Sequence, residues 1–198
     1  MCNRYRMIAD RAELARRYGV ESPYREDDAA RISELFPEKP AFVVRQDAGA
    51  RVLDVMSWGF PFTTAGKTKM LEKRVTNVRN LDSPFWRRAL TDPGRRCLVP
   101  FTAFSEYGRT RGADGKLPLH WFDLPSRPIA SFAGIWRPTD EGRVFAFLTC
   151  EPNSLVAPIH PKAMPVILDD EGEERWLRGE LDGLAEPFPS QLMRVGDA

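Results

Sequence analysis

Histidine and cysteine are scarce in this chain of 198 residues, which has two histidines and three cysteines. The cysteines, Cys2, Cys97 and Cys150, are odd in number and widely spaced, a pattern that excludes the framework of a small disulfide-stapled domain. The fold is therefore expected to depend on a hydrophobic core. A reducing compartment, the cytoplasm, is the location that we predict.

The sequence also lacks an excess of charge of one sign and any long apolar run. The formal net charge is +1, although 29% of the residues are charged, so no global field indicates a nucleic-acid partner. No apolar stretch approaches the ~20 residues that a membrane-spanning helix needs. The first twenty residues are polar and contain several arginines, unlike a signal peptide. We therefore predict that the protein does not insert into a membrane.

The charge that is present is unevenly distributed along the chain. Positive residues crowd positions 67 to 96: Lys67, Lys69, Lys73, Arg74, Arg79, Arg87, Arg88, Arg95 and Arg96. One surface can therefore be basic while the total stays near zero. Solvated surface charges without any partner would give the same pattern.

Many short strand patterns with a few helices between them predict a single α+β domain built on antiparallel sheets. Helices are expected after Asp10 and Ser83, which can cap their first turns, and again at residues 170–179. A hairpin with its turn at residues 47–50 and a short helix around residues 32–35 are also expected. Residues 61–68 are read as a connection between strands.

Cys2 directly follows the initiator methionine. Removal of Met1 would leave a free α-amine and a thiol on one residue, with reference pKa values of about 7.7–8.0 and about 8.5. Such a 1,2-aminothiol can attack an aldehyde twice, because the amine forms a Schiff base and the sulfur then closes a five-membered thiazolidine ring. The alternative is a small, buried and unreactive side chain, which is common for a free cysteine.

Three further polar residues are candidates for moving protons or orienting groups. His160 lies between prolines in "APIHPKAMP", Glu106 ends the largely apolar strand "FTAFSE", and Asn77 lies in "VTNVRN". Burial would raise the pKa of Glu106 toward neutrality and suit it to proton transfer. A surface histidine, a solvated glutamate and a turn asparagine are the alternatives. His120, in an apparent strand, is expected to be structural or partly buried.

These residues occur together with several longer motifs. "WGF", "TNVRN", "RCLVPFTAFSEY", "AGIW" and "LTCEPNSLVAPIHPKAMPVIL" stand in the order and approximate spacing of the SRAP family, the SOS response-associated peptidases. The sequence resembles that family from Cys2 to about Leu168. It departs from the usual pattern at Asn3, where a glycine is typical, at Tyr107, where a tryptophan is typical, and at Lys162, where an arginine is typical.

The resemblance implies a protein of DNA repair that senses abasic sites in single-stranded DNA and protects them as a covalent thiazolidine crosslink to Cys2. It implies that His160 assists opening of the sugar, that Glu106 carries protons and that Asn77 orients the amine. It also implies peptidase removal of Met1 by the protein itself and a possible lyase activity. No metal or cofactor is expected, and a monomer that joins the nucleoid on damaged DNA is implied.

The resemblance further implies an SRAP-like domain over residues 1–183, with a barrel-like core, a few flanking helices and a basic groove, followed by a loosely held tail over residues 184–198. Arg79 is the first candidate for a phosphate contact, because the strand period places it on the side of Asn77. Further candidates are Arg4, Arg87, Arg74 and Lys162. Trp58, Phe60 and Trp86 are candidates either for base stacking or for the core.

Two other functions remain compatible with parts of the sequence. The first is an amidohydrolase, such as a glutaminase, in which the exposed Cys2 attacks an amide and its own α-amine acts as the base. That function explains Cys2 but assigns no role to Asn77, Glu106 and His160 together. The second is a module that binds single-stranded DNA without any covalent bond, in which case replacing Cys2 changes nothing.

Overall fold

The computed structural model describes residues 2–20, 33–65 and 70–197. Within these ranges the chain forms three α-helices, α1 (Arg11–Tyr18), α2 (Pro84–Thr91) and α3 (Asp170–Leu177). The strands are, in chain order, β1 (Tyr5–Arg6), β2 (Glu34–Leu35), β3 (Pro40–Asp47), β4 (Ala50–Trp58), β5 (Phe60–Ala65), β6 (Met70–Val75), β7 (Asn77–Val78), β8 (Arg96–Phe101), β9 (Ala103–Tyr107), β10 (Leu119–Asp123), β11 (Ala130–Thr139), β12 (Gly142–Cys150), β13 (Met164–Pro165), β14 (Ile167–Leu168) and β15 (Arg194–Asp197).

Five strands close into a barrel-like ring. The order around the ring is β12, β4, β3, β8 and β11, and β11 pairs with β12 again. Neighbouring strands of the ring pair antiparallel, except β4 and β12, which pair in parallel. The prediction of an α+β domain with mostly antiparallel sheets and a barrel-like core is therefore confirmed.

The barrel interior is filled by aromatic rings. Trp58 stacks on Phe147 at a centroid distance of 5.2 Å, and Tyr5 meets the edge of Trp58 at the same distance. Trp58, Phe60 and Trp86 are each buried, so none of them presents a face to a nucleic-acid base. Of the two roles that the sequence allows these three rings, the structure assigns them to the core.

A second sheet holds the start of the chain and the strand of Glu106. Its order is β15, β10, β9, β1 and β2, with every pair antiparallel. Tyr5 of β1 lies opposite Phe104 of β9, and Glu106 of β9 lies opposite His120 of β10. The segment that follows Cys2 is thus held by sheet pairing on both sides.

The predicted helix boundaries are confirmed by their caps. The Asp10 carboxylate accepts from the Glu13 backbone N–H at 2.8 Å, and the Glu13 carboxylate accepts from the Asp10 N–H at 2.7 Å. Gly19 ends α1 in the left-handed region, with a φ of 60°. Ser83 Oγ accepts from the Phe85 N–H at the start of α2. No helix within the described ranges combines the length and the apolarity needed to cross a bilayer.

Two local predictions are wrong. Leu35 belongs to strand β2 instead of a short helix, because its backbone pairs with Tyr5; Ile32, the other end of the predicted helix, lies outside the described residues, as do Lys67 and Lys69. Phe60–Ala65 and Met70–Val75 form the paired strands β5 and β6, so that residues 61–65 are not a plain connection. The threonines and charged residues of these strands alternate poorly with apolar ones, which hides the strand period.

The tail also differs from its prediction. Residues 194–197 form β15, which pairs along β10 from His120 to Asp123. Leu184, Phe188 and Met193 are buried against the core. The expectation of a loosely held segment is therefore wrong for these residues, because isolated apolar side chains at irregular spacing anchor the segment without a helix or strand pattern in the sequence.

Candidate active site

Cys2 is buried, with 1% of its surface exposed. Its Sγ lies 3.5 Å from the backbone oxygen of Arg4, to which the thiol can donate. Burial, reinforced by the charge of Glu106, raises the pKa of the thiol well above its ordinary value. The sulfur is therefore a protonated thiol near neutral pH, and it needs a neighbouring base before it can form a bond.

Asn77 fixes the backbone of Cys2. It lies on β7, which pairs in parallel with β12, and its Nδ2 donates to the Cys2 carbonyl oxygen at 2.9 Å and to Thr76 Oγ1 at 2.7 Å. The Thr76 hydroxyl in turn donates to Asn3 Oδ1 at 3.1 Å. Asn77 Oδ1 is buried and has no hydrogen-bond partner among the described residues. One amide oxygen beside Cys2 thus remains available to an amine or a ligand hydroxyl.

Glu106 and His160 form a second contact of the site. His160 Nδ1 lies 3.5 Å from Glu106 Oε2. Burial raises the pKa of Glu106 to about 7. Burial, together with the charges of Lys162 and Arg79, lowers the pKa of His160 to about 4. Near neutral pH this is a neutral imidazole beside a carboxyl group that readily gains or loses its proton, and not an ion pair.

The loop that carries His160 is held by the asparagine that begins it. Asn153 Oδ1 accepts from the backbone N–H groups of Leu155 and Val156 at 3.1 and 3.0 Å. Its Nδ2 donates to the Phe188 carbonyl at 2.7 Å, and the His160 N–H donates to the Val156 carbonyl at 2.8 Å. The tail therefore helps to set the position of the imidazole.

The fold brings all four predicted catalytic residues to one place. Asn77 bonds to Cys2, His160 contacts Glu106, and the Glu106 charge acts on the Cys2 thiol. They come from the chain start, β7, β9 and the loop after β12. The arrangement places a thiol, an amide, a buried carboxyl group and an imidazole together, the types of group used in nucleophilic and acid–base chemistry.

Comparisons with known proteins identify the family of this chain. The model of the SOS response associated peptidase (SRAP) family matches residues 1–196. The chain belongs to the SRAP family. It is similar to the abasic site processing protein YoqW of Bacillus subtilis (strain 168), with 26% identity over 98% of this chain and 91% of that protein. The abasic site processing protein YoqW of Bacillus phage SPbeta has the same identity to this chain and the same coverage.

Solved structures share the SRAP fold of this chain. A crystal structure of a protein from Bacteroides thetaiotaomicron matches with a TM-score of 0.79 and 25% identity, covering 99% of this chain and 91% of that one. A second, from Bordetella bronchiseptica, matches with a TM-score of 0.73 and 18% identity over 100% and 99% of the two chains. The second likeness shows the fold alone.

The five candidate DNA contacts of this SRAP protein are distributed unequally around the site. Arg79 and Lys162 are exposed and lie close enough to His160 to lower its pKa. Arg4 instead donates from Nε to Glu34 Oε2 at 2.9 Å. The two remaining candidates are Arg74, which pairs with Glu141 at 2.6 Å, and Arg87, which is exposed on α2.

Sequence reasoning missed Thr76 and Glu34 in the surroundings of the site, and it placed His120 in a strand without its partner. Thr76 connects Asn77 to Asn3, and its position next to Asn77 was the only signal for it. Glu34 binds both Arg4 and Arg6, but nothing in the sequence indicates that pairing across about thirty residues. His120 lies opposite Glu106, a register that only the sheet pairing defines.

We expect Arg79→Gln to weaken binding to undamaged single-stranded DNA by about tenfold, the effect of losing one charge-assisted hydrogen bond to a phosphate. The slope of log affinity against log salt should become shallower by about 0.7, as for one fewer phosphate contact on a single strand. The pKa of His160 should rise, because a positive charge that lowers it is removed. Fluorescence anisotropy and NMR titration measure these effects.

Arg178→Gln is the matched control, because Arg178 is an exposed arginine paired with Glu180 at 3.3 Å near the end of α3. It should leave the salt slope unchanged. Equal effects of both substitutions would mean that Arg79 contributes only general charge.

Proposed function

We propose that this protein captures abasic sites in single-stranded DNA and holds them covalently through Cys2. The observation that carries the proposal is the buried Cys2, fixed by Asn77 and placed beside the Glu106–His160 pair. The relatives named as abasic site processing proteins support processing of abasic DNA. The crosslink, the preference for single strands and action as a monomer on the nucleoid are parts of the proposal.

An abasic sugar exchanges between a closed hemiacetal and an open aldehyde, and only the aldehyde reacts with an amine. His160 is assigned to the sugar oxygen, where its ring can donate or accept a proton as the ring opens. Asn77 Oδ1 accepts from the α-amine of Cys2 and orients the nitrogen lone pair. The amine must first be released, so removal of Met1 by the peptidase activity precedes capture.

Bond formation then follows in two steps. The Glu106 carboxylate takes one proton from the α-ammonium, and the free amine attacks the aldehyde carbon to give a carbinolamine. Glu106 returns that proton to the hydroxyl, which leaves as water, so that an iminium C=N forms. The thiol sulfur adds to the same carbon, its proton passes to Glu106, and the C=N electron pair moves to nitrogen. The product is a neutral thiazolidine.

Ring closure explains why both nucleophiles lie on one residue. An iminium on an abasic sugar withdraws electrons and promotes β-elimination, which breaks the DNA strand as a lyase does. Addition of sulfur removes this electron sink, so the strand stays intact and the lesion is shielded. The raised pKa of the Cys2 thiol is consistent with sulfur adding second, when Glu106 has returned its first proton and can take the thiol proton.

The proposal is tested with single-stranded DNA that carries one abasic site. Incubation with purified protein, checked by mass spectrometry for removal of Met1, should give a slow band on a denaturing gel that survives heating. The mass of the adduct should equal protein plus DNA minus one water. A glutaminase assay on the same sample should show no turnover.

Two results contradict the proposal in different ways. Glutamine hydrolysis without retained DNA favours the amidohydrolase. Binding of single strands in a native gel, with no band under denaturing conditions, favours the non-covalent module.

A further inference from the structure

A second histidine, His120, lies beside Glu106 on the neighbouring strand and has no role in the chemistry proposed above. His120 and Glu106 occupy directly opposite positions of the antiparallel strands β10 and β9. Side chains at such positions project from the same face of the sheet, with Cβ atoms about 4.5–5.5 Å apart. Glu106 therefore has an imidazole on a neighbouring strand in addition to His160.

His120 also forms part of the wall of an open cleft. The cleft has a volume of about 540 Å³. Its lining residues come from the segment between β9 and β10, from β10 itself and from the loop before His160: Gly108, Arg109, Thr110, Pro118, His120, Pro158 and Ile159. His120 is half-buried whereas Glu106 is buried. The imidazole thus lies between a buried carboxyl group and a space that is open to water.

A glycine leaves room for the ring at this place. A Cβ atom added to Gly108 would lie 3.1 Å from His120 Nε2 and 2.7 Å from a carbon of Pro118. The imidazole and Pro118 therefore pack closely against the backbone that follows β9. This close packing restricts the ring, as expected for a residue whose position matters.

The mechanism proposed above does not explain how an excess proton on Glu106 reaches the solvent. When the α-ammonium and Glu106 are both protonated, one proton must reach water before the amine can attack. Cys2 and Glu106 are nearly inaccessible to solvent, and the sugar is assigned to the His160 side. An imidazole can accept a proton with one ring nitrogen and release one from the other.

We propose that His120 is a positioning residue that acts through Glu106 and passes its proton to water in the cleft. The Glu106 carboxyl gives a proton to one ring nitrogen of His120, and the other ring nitrogen releases a proton to water. The Glu106 carboxylate then takes the ammonium proton, and the free amine attacks. One proton reaches the solvent, and no bond other than those to hydrogen changes. This inference rests on the proposed covalent capture.

The test measures single-turnover crosslinking with His120→Gln, which keeps a polar side chain but cannot carry a proton. We expect the crosslinking rate to fall about tenfold while the affinity for undamaged single-stranded DNA stays within twofold. His120→Ala should be equally slow, and free imidazole should restore part of its rate, because the emptied cleft can admit that small base. Thr110→Val is the control, a change in the same cleft wall that removes no titrating group.

The outcomes separate this inference from the function on which it rests. If the unaltered protein forms no adduct, the proposed function fails. If the unaltered protein forms the adduct and His120→Gln reacts at the same rate, only the role of His120 fails. A slow His120→Ala protein that imidazole does not accelerate, or that binds undamaged DNA proportionately less well, also rejects the proton route. Thermal unfolding of each variant identifies losses that come from misfolding.

Discussion

Replacing Cys2 by serine is expected to abolish the heat-stable adduct completely. Serine keeps the α-amine, so the first nitrogen–carbon bond can still form and can be trapped as a secondary amine by borohydride. The hydroxyl is a much weaker nucleophile than sulfur and closes no lasting ring, so the iminium reverts or undergoes β-elimination. We expect loss of the slow band without reductant, its return with reductant, and more strand cleavage than with the unaltered protein.

Cys150→Ser is the matched control for this experiment. Cys150 is a partly buried thiol at the end of β12, and its replacement should leave the heat-stable band intact. Protein that retains Met1 should give no band with either chemistry, because the peptide bond occupies the nitrogen. A heat-stable band from the serine variant would falsify the role of sulfur, and no band with borohydride would reject the role of the amine.

The fold could be predicted from the sequence wherever local signals were strong. The caps at Asp10 and Ser83 and the turn at residues 47–50 depend on contacts within a few residues, and the structure has them at the predicted places. Closure of the barrel depends on the pairing of β4 with β12, about ninety residues apart. Nothing in the local sequence specifies such a register.

The sequence identified which residues belong to the candidate site but did not give the distances between them. Cys2, Asn77, Glu106 and His160 were candidates by residue type, but each signal was weak alone, and their roles were implied by the resemblance to the SRAP family. Their distances depend on sheet pairing and on the anchoring of the His160 loop at Asn153 and Phe188. For the same reason the partner of Arg4 and the register of His120 could not be foreseen.

Glu106→Gln is expected to slow crosslinking by about 100-fold, within the range for loss of a general acid–base group. Glutamine has nearly the same shape but cannot take the ammonium proton or return it to the leaving hydroxyl. Affinity for undamaged single strands should remain within twofold, because the residue is buried. Glu174→Gln, which alters an exposed carboxylate that pairs with Arg51 at 2.7 Å, is the control and should react normally.

The pH dependence distinguishes a proton carrier from a merely structural residue. The reactive form of the pair carries one proton in total, on either Glu106 or the α-amine. The pKa of Glu106 is about 7, and the reference pKa of the α-amine is about 7.7–8.0. The unaltered rate should therefore peak between pH 7 and 8, since neither the doubly protonated nor the fully deprotonated pair reacts. In Glu106→Gln only the amine titrates, so the slow rate should rise to a plateau without a decline at high pH.

Glu106→Gln should raise the free energy of unfolding at pH 8 although it lowers the crosslinking rate. The pKa of Glu106 is raised by burial, so between its ordinary value and about pH 7 the folded state binds more protons than the unfolded state. The free energy of unfolding of the unaltered protein should therefore decrease as the pH rises through this interval. Glu106→Gln lacks that decrease and should be the more stable protein at pH 8, as measured by urea denaturation. A variant both slower and less stable there would place Glu106 in the structure and not in the chemistry.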